Sequence, residues 1–539
     1  MLEGFTPWPE DVARRYREQG IWRGETLGTV LREAAWRHGG STALVHGERR
    51  ISYAELDRWA DRLAAGFAAH GLRPDDRVVV QLPNVPEFVA IVFGLMRLGA
   101  KVVFSLPAHR ATELVHLVRL SGAVGYVGPE THRGHDHREL ARQVQSETAT
   151  LTSLFVLGAR TEGFVSVDEL ESAVADPQPL PEPDAADVAF FLLSGGTTSL
   201  PKLIPRTHDA YVYMSDRAAQ VCELTEDDVY LAVLPIEFNF AFGCPGLIGT
   251  LRTGGTVVLA DTPNPVDCFP LVERYGATVT AVVPSVMTLW LEAAEWAEQD
   301  LSSLRLVQVG GARMTREIAE RIQPTLGARL QQVFGMAEGL LTFSRPDDPA
   351  ESVLTTQGKP ISDADELLIV DEDGRPLPRG EIGELITRGP YTLRGYYRVP
   401  DYNRRAFTDD GFYRTGDLAR LTEDGDLVIE GRIKETIIRG GDKIAAGEVE
   451  DLLLAHPAVA AAAVIGVPDD FLGERICAYL VADGPEVPPA ELKRSVHAQG
   501  VADYKLPDVV RYVPELPLTP LGKVDKKALA AHAASEQEG

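Results

Sequence analysis

The run Ser194-Gly195-Gly196-Thr197-Thr198-Ser199-Leu200-Pro201-Lys202 places flexible backbone, four hydroxyls and a cation directly after the apolar segment Val188 to Leu193. Glycines let main-chain N–H groups approach an anion, the hydroxyls add neutral donors and Lys202 adds positive charge. That is the chemistry of holding a polyphosphate. A solvated Gly/Ser/Thr turn has the same composition, so the run alone does not decide. No Gly-Lys-Ser/Thr closes it, which disfavours a Walker-type P-loop.

Four later segments follow in order: Gln331-Gln332-Val333-Phe334-Gly335-Met336-Ala337-Glu338-Gly339, Tyr413-Arg414-Thr415-Gly416-Asp417, Gly431-Arg432-Ile433-Lys434-Glu435 and Pro520-Leu521-Gly522-Lys523-Val524. With the first loop they resemble the adenylate-forming superfamily of acyl-CoA synthetases, luciferases and peptide-synthetase adenylation domains. The resemblance covers nearly the whole chain, from Ile51-Ser52-Tyr53-Ala54-Glu55-Leu56 and Leu98-Gly99-Ala100-Lys101 onward. Leu203-Ile204-Pro205-Arg206-Thr207-His208, Val309-Gly310-Gly311-Ala312, Arg388 to Tyr397 and Tyr504-Lys505-Leu506-Pro507-Asp508 look more narrowly like the stand-alone aryl-acid:AMP ligases. Those enzymes load salicylate or 2,3-dihydroxybenzoate onto carrier proteins in siderophore and related natural-product pathways.

The resemblance implies ATP and Mg²⁺ as cofactors and assigns roles to this chain's residues. Ser194, Gly195, Gly196, Thr197, Thr198 and Lys202 would hold the β- and γ-phosphates, and Glu338 would hold Mg²⁺, a hard cation that favours oxygen ligands. Asp417 would accept hydrogen bonds from both ribose hydroxyls, with Arg432 at the same sugar. Gly310, Gly311 and Ala312 would let backbone pass close to adenine, Phe334 would stack on it, and Gly335, Met336 and Ala337 would complete that wall. The family often has Tyr at the Phe334 position and Thr at Ala337. Joining a carboxylate to the α-phosphate of ATP brings two anions together, so a positioned cation is needed; the motif singles out Lys523. Neighbouring Lys526 and Lys527 read as surface solubilisers. Lys434 matches the hinge about which the small domain rotates between adenylation and thioester formation, a motion in which Gly440-Gly441-Asp442-Lys443 would approach the active site.

Aryl-acid identity is implied by Leu234 to Gly246. Asn239 keeps the residue that hydrogen-bonds an ortho substituent, while Phe240, Leu341 and Gly310 would line the ring. Cys244 stands where dihydroxybenzoate enzymes carry Ser, and a thiol is a weak donor and acceptor. Phe238 replaces the usual His, and Glu237 before it is an unexpected acid. Strand alternation predicts that Glu237 faces outward. Salicylate fits these residues; anthranilate or a hydroxyanthranilate is the rival. His208 is a candidate lining residue of the nucleotide or aryl pocket. His132, His135 and His137 are close in sequence, but without a second cluster they read as structural or solvated.

These residues need a layered scaffold. Apolar strand candidates alternate with amphipathic helices, as in Arg77 to Leu82 before Val85 to Leu98 and Ala100 to Ser105 before Ala111 to Leu120. This predicts an α/β fold with largely parallel sheets. Ser166 to Ala186, rich in acid and Pro, reads as an exposed connection. After Leu367, turn signals at Asp371 to Gly374 and Thr422 to Asp426 predict a small β-barrel-like unit. A mobile α+β domain follows. The expected domains are 1–432, the adenylation core, and 433–539, the mobile carboxy-terminal domain.

Composition sets the outer limits. A chain of 539 residues, 45% hydrophobic, needs more than one core. A net charge of −26 argues against nucleic acid and anionic membrane as partners. Four cysteines without a CxxC pair, and an amino terminus without an apolar signal core, predict a cytoplasmic protein with reduced thiols. The expected acceptor is the phosphopantetheine thiol of a separate aryl carrier protein. An aryl-CoA ligase and a non-catalytic nucleotide-binding scaffold are the competing readings.

Overall fold

The computed structural model describes residues 2–194, 201–312, 314–439, 442–469, 472–499, 505–519 and 523–537. The chain divides into two compact units: Met1–Leu354, Gly358–Glu366 and Thr387–Tyr413 form the first, and Thr355–Gln357, Leu367–Ile386 and Arg414–Gly539 the second. In this division the small β unit groups with the carboxy-terminal fold, whereas the motif-based boundary falls at Arg432.

Two sheets organise the first unit. One has nine strands, with Thr256–Leu259, Val229–Ala232, Val279–Val282, Leu306–Gly310 and Arg329–Gly335 running as parallel neighbours. The other has seven, built on the parallel strands Arg77–Val80, Lys101–Phe104, Gly125–Pro129 and Ser153–Leu157. Continuous Val/Leu/Phe runs suit strands buried on both faces, which is why these segments show little alternation. The helices match the expected alternation: Pro86–Leu98 precedes the strand Lys101–Phe104, and Ala111–Ser121 follows it. Ser52 begins the helix Tyr53–Ala69 with a reciprocal capping box, accepting from the Glu55 N–H while Glu55 accepts at 2.8 Å from the Ser52 N–H. That helix packs on Pro86–Leu98 at Gly94, where a Cβ would come within 2.9 Å of Leu63 Cβ.

The charges that interrupt the apolar run from Phe88 to Leu106 are buried and paired. Arg97 donates to Asp57 and, at 2.8 Å, to Asp61, and the Lys101 ammonium lies 3.3 Å from Asp75. Part of the expected connection after Ser166 is helical instead: Ser166 caps the short helix Val167–Ser172, whose Leu170 is buried. Among the described residues no helix is long and apolar enough to cross a membrane. All four cysteines are buried and outside any disulfide.

Glu366–Val370, Gly383–Arg388, Tyr413–Leu421 and Leu427–Arg432, most of whose residues fall in the second unit, make a four-stranded sheet. The carboxy-terminal fold has five strands: Thr436–Arg439, Asp442–Ala445, Val459–Asp469, Gly473–Ala482 and Val509–Tyr512. Ala446–Leu454 and Pro489–Ala498 share one apolar core with this sheet, and Leu529 and Ala533 of Lys526–Gln537 join a second.

Candidate active site

Strands Val188–Leu193 and Leu203–Thr207 pair antiparallel with Leu193 opposite Leu203, so they bring the two ends of the phosphate-loop motif together. The Ser194 N–H donates to the Lys202 carbonyl at 3.0 Å, and the Lys202 N–H donates to Ser194 Oγ at 3.0 Å. Gly195, Gly196, Thr197 and Thr198 lie outside the described residues. The Lys202 ammonium sits 5.4 Å from the Tyr396 ring centre and 4.2 Å from that of Tyr402, within cation–π range.

Tyr396 also serves Glu338. Its hydroxyl donates to Glu338 Oε1 at 2.7 Å and lies 2.8 Å from the Tyr413 hydroxyl. Burial, reinforced by the Glu338 charge, raises the Tyr396 pKa, so the phenol keeps its proton and remains a donor. Glu338 is itself buried, at 8% exposure. Its segment is anchored by Arg206, whose guanidinium donates to the carbonyls of Ala337 at 3.2 Å and Tyr391 at 2.7 Å. The family motifs contained Arg206 and Tyr396 but assigned them no task.

Phe334 is half-buried at the end of the strand Arg329–Gly335, while Gly311 and Ala312, after the parallel neighbour Leu306–Gly310, are exposed. Gly310 is constrained by close approach: a Cβ there would fall 2.7 Å from the Val333 carbonyl and 3.4 Å from Phe240 Cε1. Gly335 pairs with Leu341, whose Cδ2 would meet a Cβ at 2.5 Å. Met336 and Ala337 are half-buried and pack against the main core.

Asn239 and Phe240 open the short helix Asn239–Gly243, with Phe238 as its N-cap. The Tyr211 hydroxyl donates to Asn239 Oδ1 at 2.9 Å, and Asn239 Nδ2 lies 3.5 Å from the Met336 carbonyl. Cys244 follows the helix, 1% exposed, and burial pushes its thiol pKa up. Phe238 and Phe240 are half-buried; Leu341 is buried.

Two expectations in this region are corrected. Glu237 does not face outward: it is 4% exposed, and neither carboxylate oxygen has a hydrogen-bond partner among the described residues. Alternation fails because the strand Val229–Ala232 has ended and Glu237 sits in a turn. Burial pushes its pKa up to about 8. His208 is not a lining residue: it is buried and its Nδ1 accepts the Leu27 N–H at 3.2 Å, while burial lowers its pKa to about 3. Of the other histidines, His137 is buried with Nδ1 3.2 Å from Gln81 Oε1. Among the described residues no group of three His, Cys, Asp or Glu is arranged to hold a metal ion.

In the second unit, Asp417 and Arg432 are register partners on antiparallel strands, with Arg432 Nε 2.9 Å from Asp417 Oδ1. Asp417 is 4% exposed and its N–H donates to Thr415 Oγ1 at 3.0 Å. Lys434 lies in the 3₁₀ turn Ile433–Glu435. Lys523 is exposed, in a loop closed by Thr519 N–H to the Lys523 carbonyl at 2.6 Å. Gly440, Gly441, Tyr504 and Pro520 to Gly522 lie outside the described residues. Lys526 is not a surface solubiliser: its ammonium is 2.8 Å from Glu450 and 3.0 Å from Glu435.

Residues 31–397 match the family described as AMP-binding enzyme, and residues 448–523 match the AMP-binding enzyme C-terminal domain. A 2,3-dihydroxybenzoate-AMP ligase of Bacillus subtilis is 50% identical over 98% of this chain and 97% of its own length. A salicyl-AMP ligase / salicyl-S-ArCP synthetase of Mycobacterium tuberculosis is 47% identical over 98% of this chain and 94% of its own. The apo structure of MbtA from Mycobacterium smegmatis, 46% identical and covering 98% of both chains, superposes with a TM-score of 0.77.

Proposed function

The chain belongs to the AMP-binding enzyme family, and from that membership we propose that it is an aryl-acid:AMP ligase whose substrate is an ortho-hydroxybenzoate, salicylate first. It activates the carboxylate with ATP, releases pyrophosphate and passes the acyl group to the phosphopantetheine thiol of a separate aryl carrier protein. The observation that carries the substrate reading is the orientation of Asn239. Its Oδ1 accepts from Tyr211, and the Met336 carbonyl beside Nδ2 opposes the flipped amide, which would set oxygen against oxygen. Asn239 therefore keeps a second N–H, beyond the one that faces Met336, to give to a substrate. An ortho-hydroxyl oxygen accepts such a bond, whereas the ring-conjugated amine of anthranilate is a poor acceptor.

Lys202 supplies the cation for the β- and γ-phosphates, together with Ser194 and the Gly195 to Thr198 run. Glu338 is the residue that would hold Mg²⁺: its buried carboxylate is a hard oxygen donor kept in place by Tyr396. When bound, Mg²⁺ neutralises phosphate charge. Phe334, with Gly310 to Ala312 and Gly335 to Ala337, forms the adenine site, and Asp417 with Arg432 binds the ribose. Lys523 bridges the incoming carboxylate and the α-phosphate as charge builds in the transition state. Lys434 is the hinge.

A pyrophosphate-exchange panel of benzoate, salicylate, anthranilate and 2,3-dihydroxybenzoate tests the reading. Salicylate should give the highest kcat/KM. Exchange that no aryl acid stimulates would overturn the activity, and a preference for anthranilate would overturn the role of Asn239.

A further inference from the structure

Lys526 begins the terminal helix Lys526–Gln537, three residues after Lys523, and its ammonium ties together three elements of the second unit. It lies 3.0 Å from Glu435 Oε2, in the 3₁₀ turn that contains Lys434, and 2.8 Å from Glu450 Oε1 on the helix Ala446–Leu454. Glu450 Oε1 also accepts the Val464 N–H at 2.7 Å, which anchors the node to the strand Val459–Asp469. Burial alone would lower the Lys526 pKa, but the two carboxylates outweigh it and raise it, so the lysine stays charged.

The loop that carries Lys523 is closed against the same helix. The Lys523 N–H donates to Thr519 Oγ1 at 3.2 Å, and the Asp525 N–H donates to the Pro517 carbonyl at 2.7 Å. Asp525 Oδ1 then accepts the Lys527 and Ala528 N–H groups, each at 3.1 Å, and so caps the helix. Buried Leu529 and Ala533 seat that helix on the sheet. Lys523 thus joins Lys526 through two residues of backbone, braced at Asp525 by its bonds to Pro517 and to the start of the helix, and the Lys526 ammonium continues the link to Glu435.

We propose that Lys526 is a positioning residue for adenylation, its ammonium clamping the Ile433–Glu435 turn to the helix that anchors the Lys523 loop, so that hinge and catalytic cation keep one fixed separation. The proposal rests on the roles given above to Lys523 and Lys434. Small displacements of a transition-state cation cost rate, because its benefit depends on pre-set geometry.

The test compares Lys526→Met, Lys526→Arg, Glu435→Gln and Lys523→Ala in the full chain, following salicylate-dependent pyrophosphate exchange and, separately, single-turnover transfer from preformed salicyl-AMP. Lys526→Met should lower the exchange kcat about tenfold with KM values unchanged and transfer altered less than about twofold. Glu435→Gln, at a partly exposed carboxylate, should show a smaller loss of the same kind, and Lys526→Arg should restore most of the rate. Equal losses in both half-reactions, or wild-type exchange in Lys526→Met, overturns the proposal. If Lys526→Met does not fold, Glu435→Gln decides alone: unchanged exchange overturns it. Full exchange in Lys523→Ala would instead overturn the underlying assignment of the catalytic cation.

Discussion

Tyr396 donates its hydroxyl proton to Glu338 at 2.7 Å, and the face of the same ring lies 5.4 Å from the Lys202 ammonium. One side chain thus touches both the acid assigned to the metal and the cation assigned to the phosphates, which are separated by 136 residues in sequence, from 202 to 338. Tyr413 closes the arrangement at 2.8 Å from the Tyr396 hydroxyl. The phenol holds the buried carboxylate, and the ring holds the ammonium without neutralising it.

Tyr396→Phe separates these tasks, since the ring remains and the donor is lost. A buried carboxylate deprived of a donor costs about 1–3 kcal/mol. The expected result is a lower denaturation midpoint and a several-fold higher Mg²⁺ concentration for half-maximal exchange, with the KM for the aryl acid unchanged. An unaltered Mg²⁺ response would detach Tyr396 from Glu338 function.

Asp417→Asn addresses the ribose. Hydrogen bonds to a charged group contribute about 1.5–3 kcal/mol, so the KM for ATP should rise by about tenfold or more. Arg432, 2.9 Å away, also loses its ionic partner. The KM for the aryl acid should stay put. A rise in aryl-acid KM with ATP unaffected would remove Asp417 from the nucleotide site.

How far the sequence was legible follows from the kind of signal each residue left. Lys202, Glu338, Asp417 and Arg432 sat in motifs with strong local composition, and the strand-helix alternation that carries them is a short-range pattern. Tyr396 lies in the aryl-ligase segment Arg388 to Tyr397, yet its partner is 58 residues away, and no local rule encodes a hydrogen bond at that separation. Glu237 departs from the alternation because period two holds only while the backbone is extended. Lys526 carries no local sign of its pairing, because only the docking of the helix Lys526–Gln537 brings it against Glu435 and Glu450.

The buried Glu237 carboxyl gives stability a pH dependence of known sign. Burial raises its pKa from 4.5 to about 8 in the folded protein. Between these values the folded state keeps a proton that the unfolded chain has released, so stability falls as pH rises through the window. At about 1.36 kcal/mol per unit, the effect is on the order of a few kcal/mol. Glu237→Gln should therefore flatten the fall in urea midpoint between about pH 6 and about pH 8.5. Asp365, also pushed up to about 8 by burial, contributes with the same sign in both proteins and cancels in the comparison. Parallel slopes for wild type and variant would show that Glu237 is ionised in the folded state.

Selectivity against a second ring hydroxyl should reside in Cys244. The residue is 1% exposed, and burial raises its pKa, so at neutral pH it is a thiol rather than a thiolate. A thiol is a weak hydrogen-bonding partner, and the 3-hydroxyl of 2,3-dihydroxybenzoate set against it would leave water without an equivalent bond. Such a loss costs about 1–3 kcal/mol, which is roughly 5- to 150-fold in kcat/KM relative to salicylate. Cys244→Ser replaces sulfur with a hydroxyl of nearly the same shape that both donates and accepts. The ratio of salicylate to 2,3-dihydroxybenzoate should then fall by about tenfold or more, mainly through improved use of the dihydroxy acid. Asn239→Leu provides the contrast, because it removes the donor to the ortho position and should weaken salicylate and 2,3-dihydroxybenzoate alike relative to benzoate. A wild-type enzyme that prefers 2,3-dihydroxybenzoate, or a Cys244→Ser variant with an unchanged ratio, would place the 3-position against some other side chain.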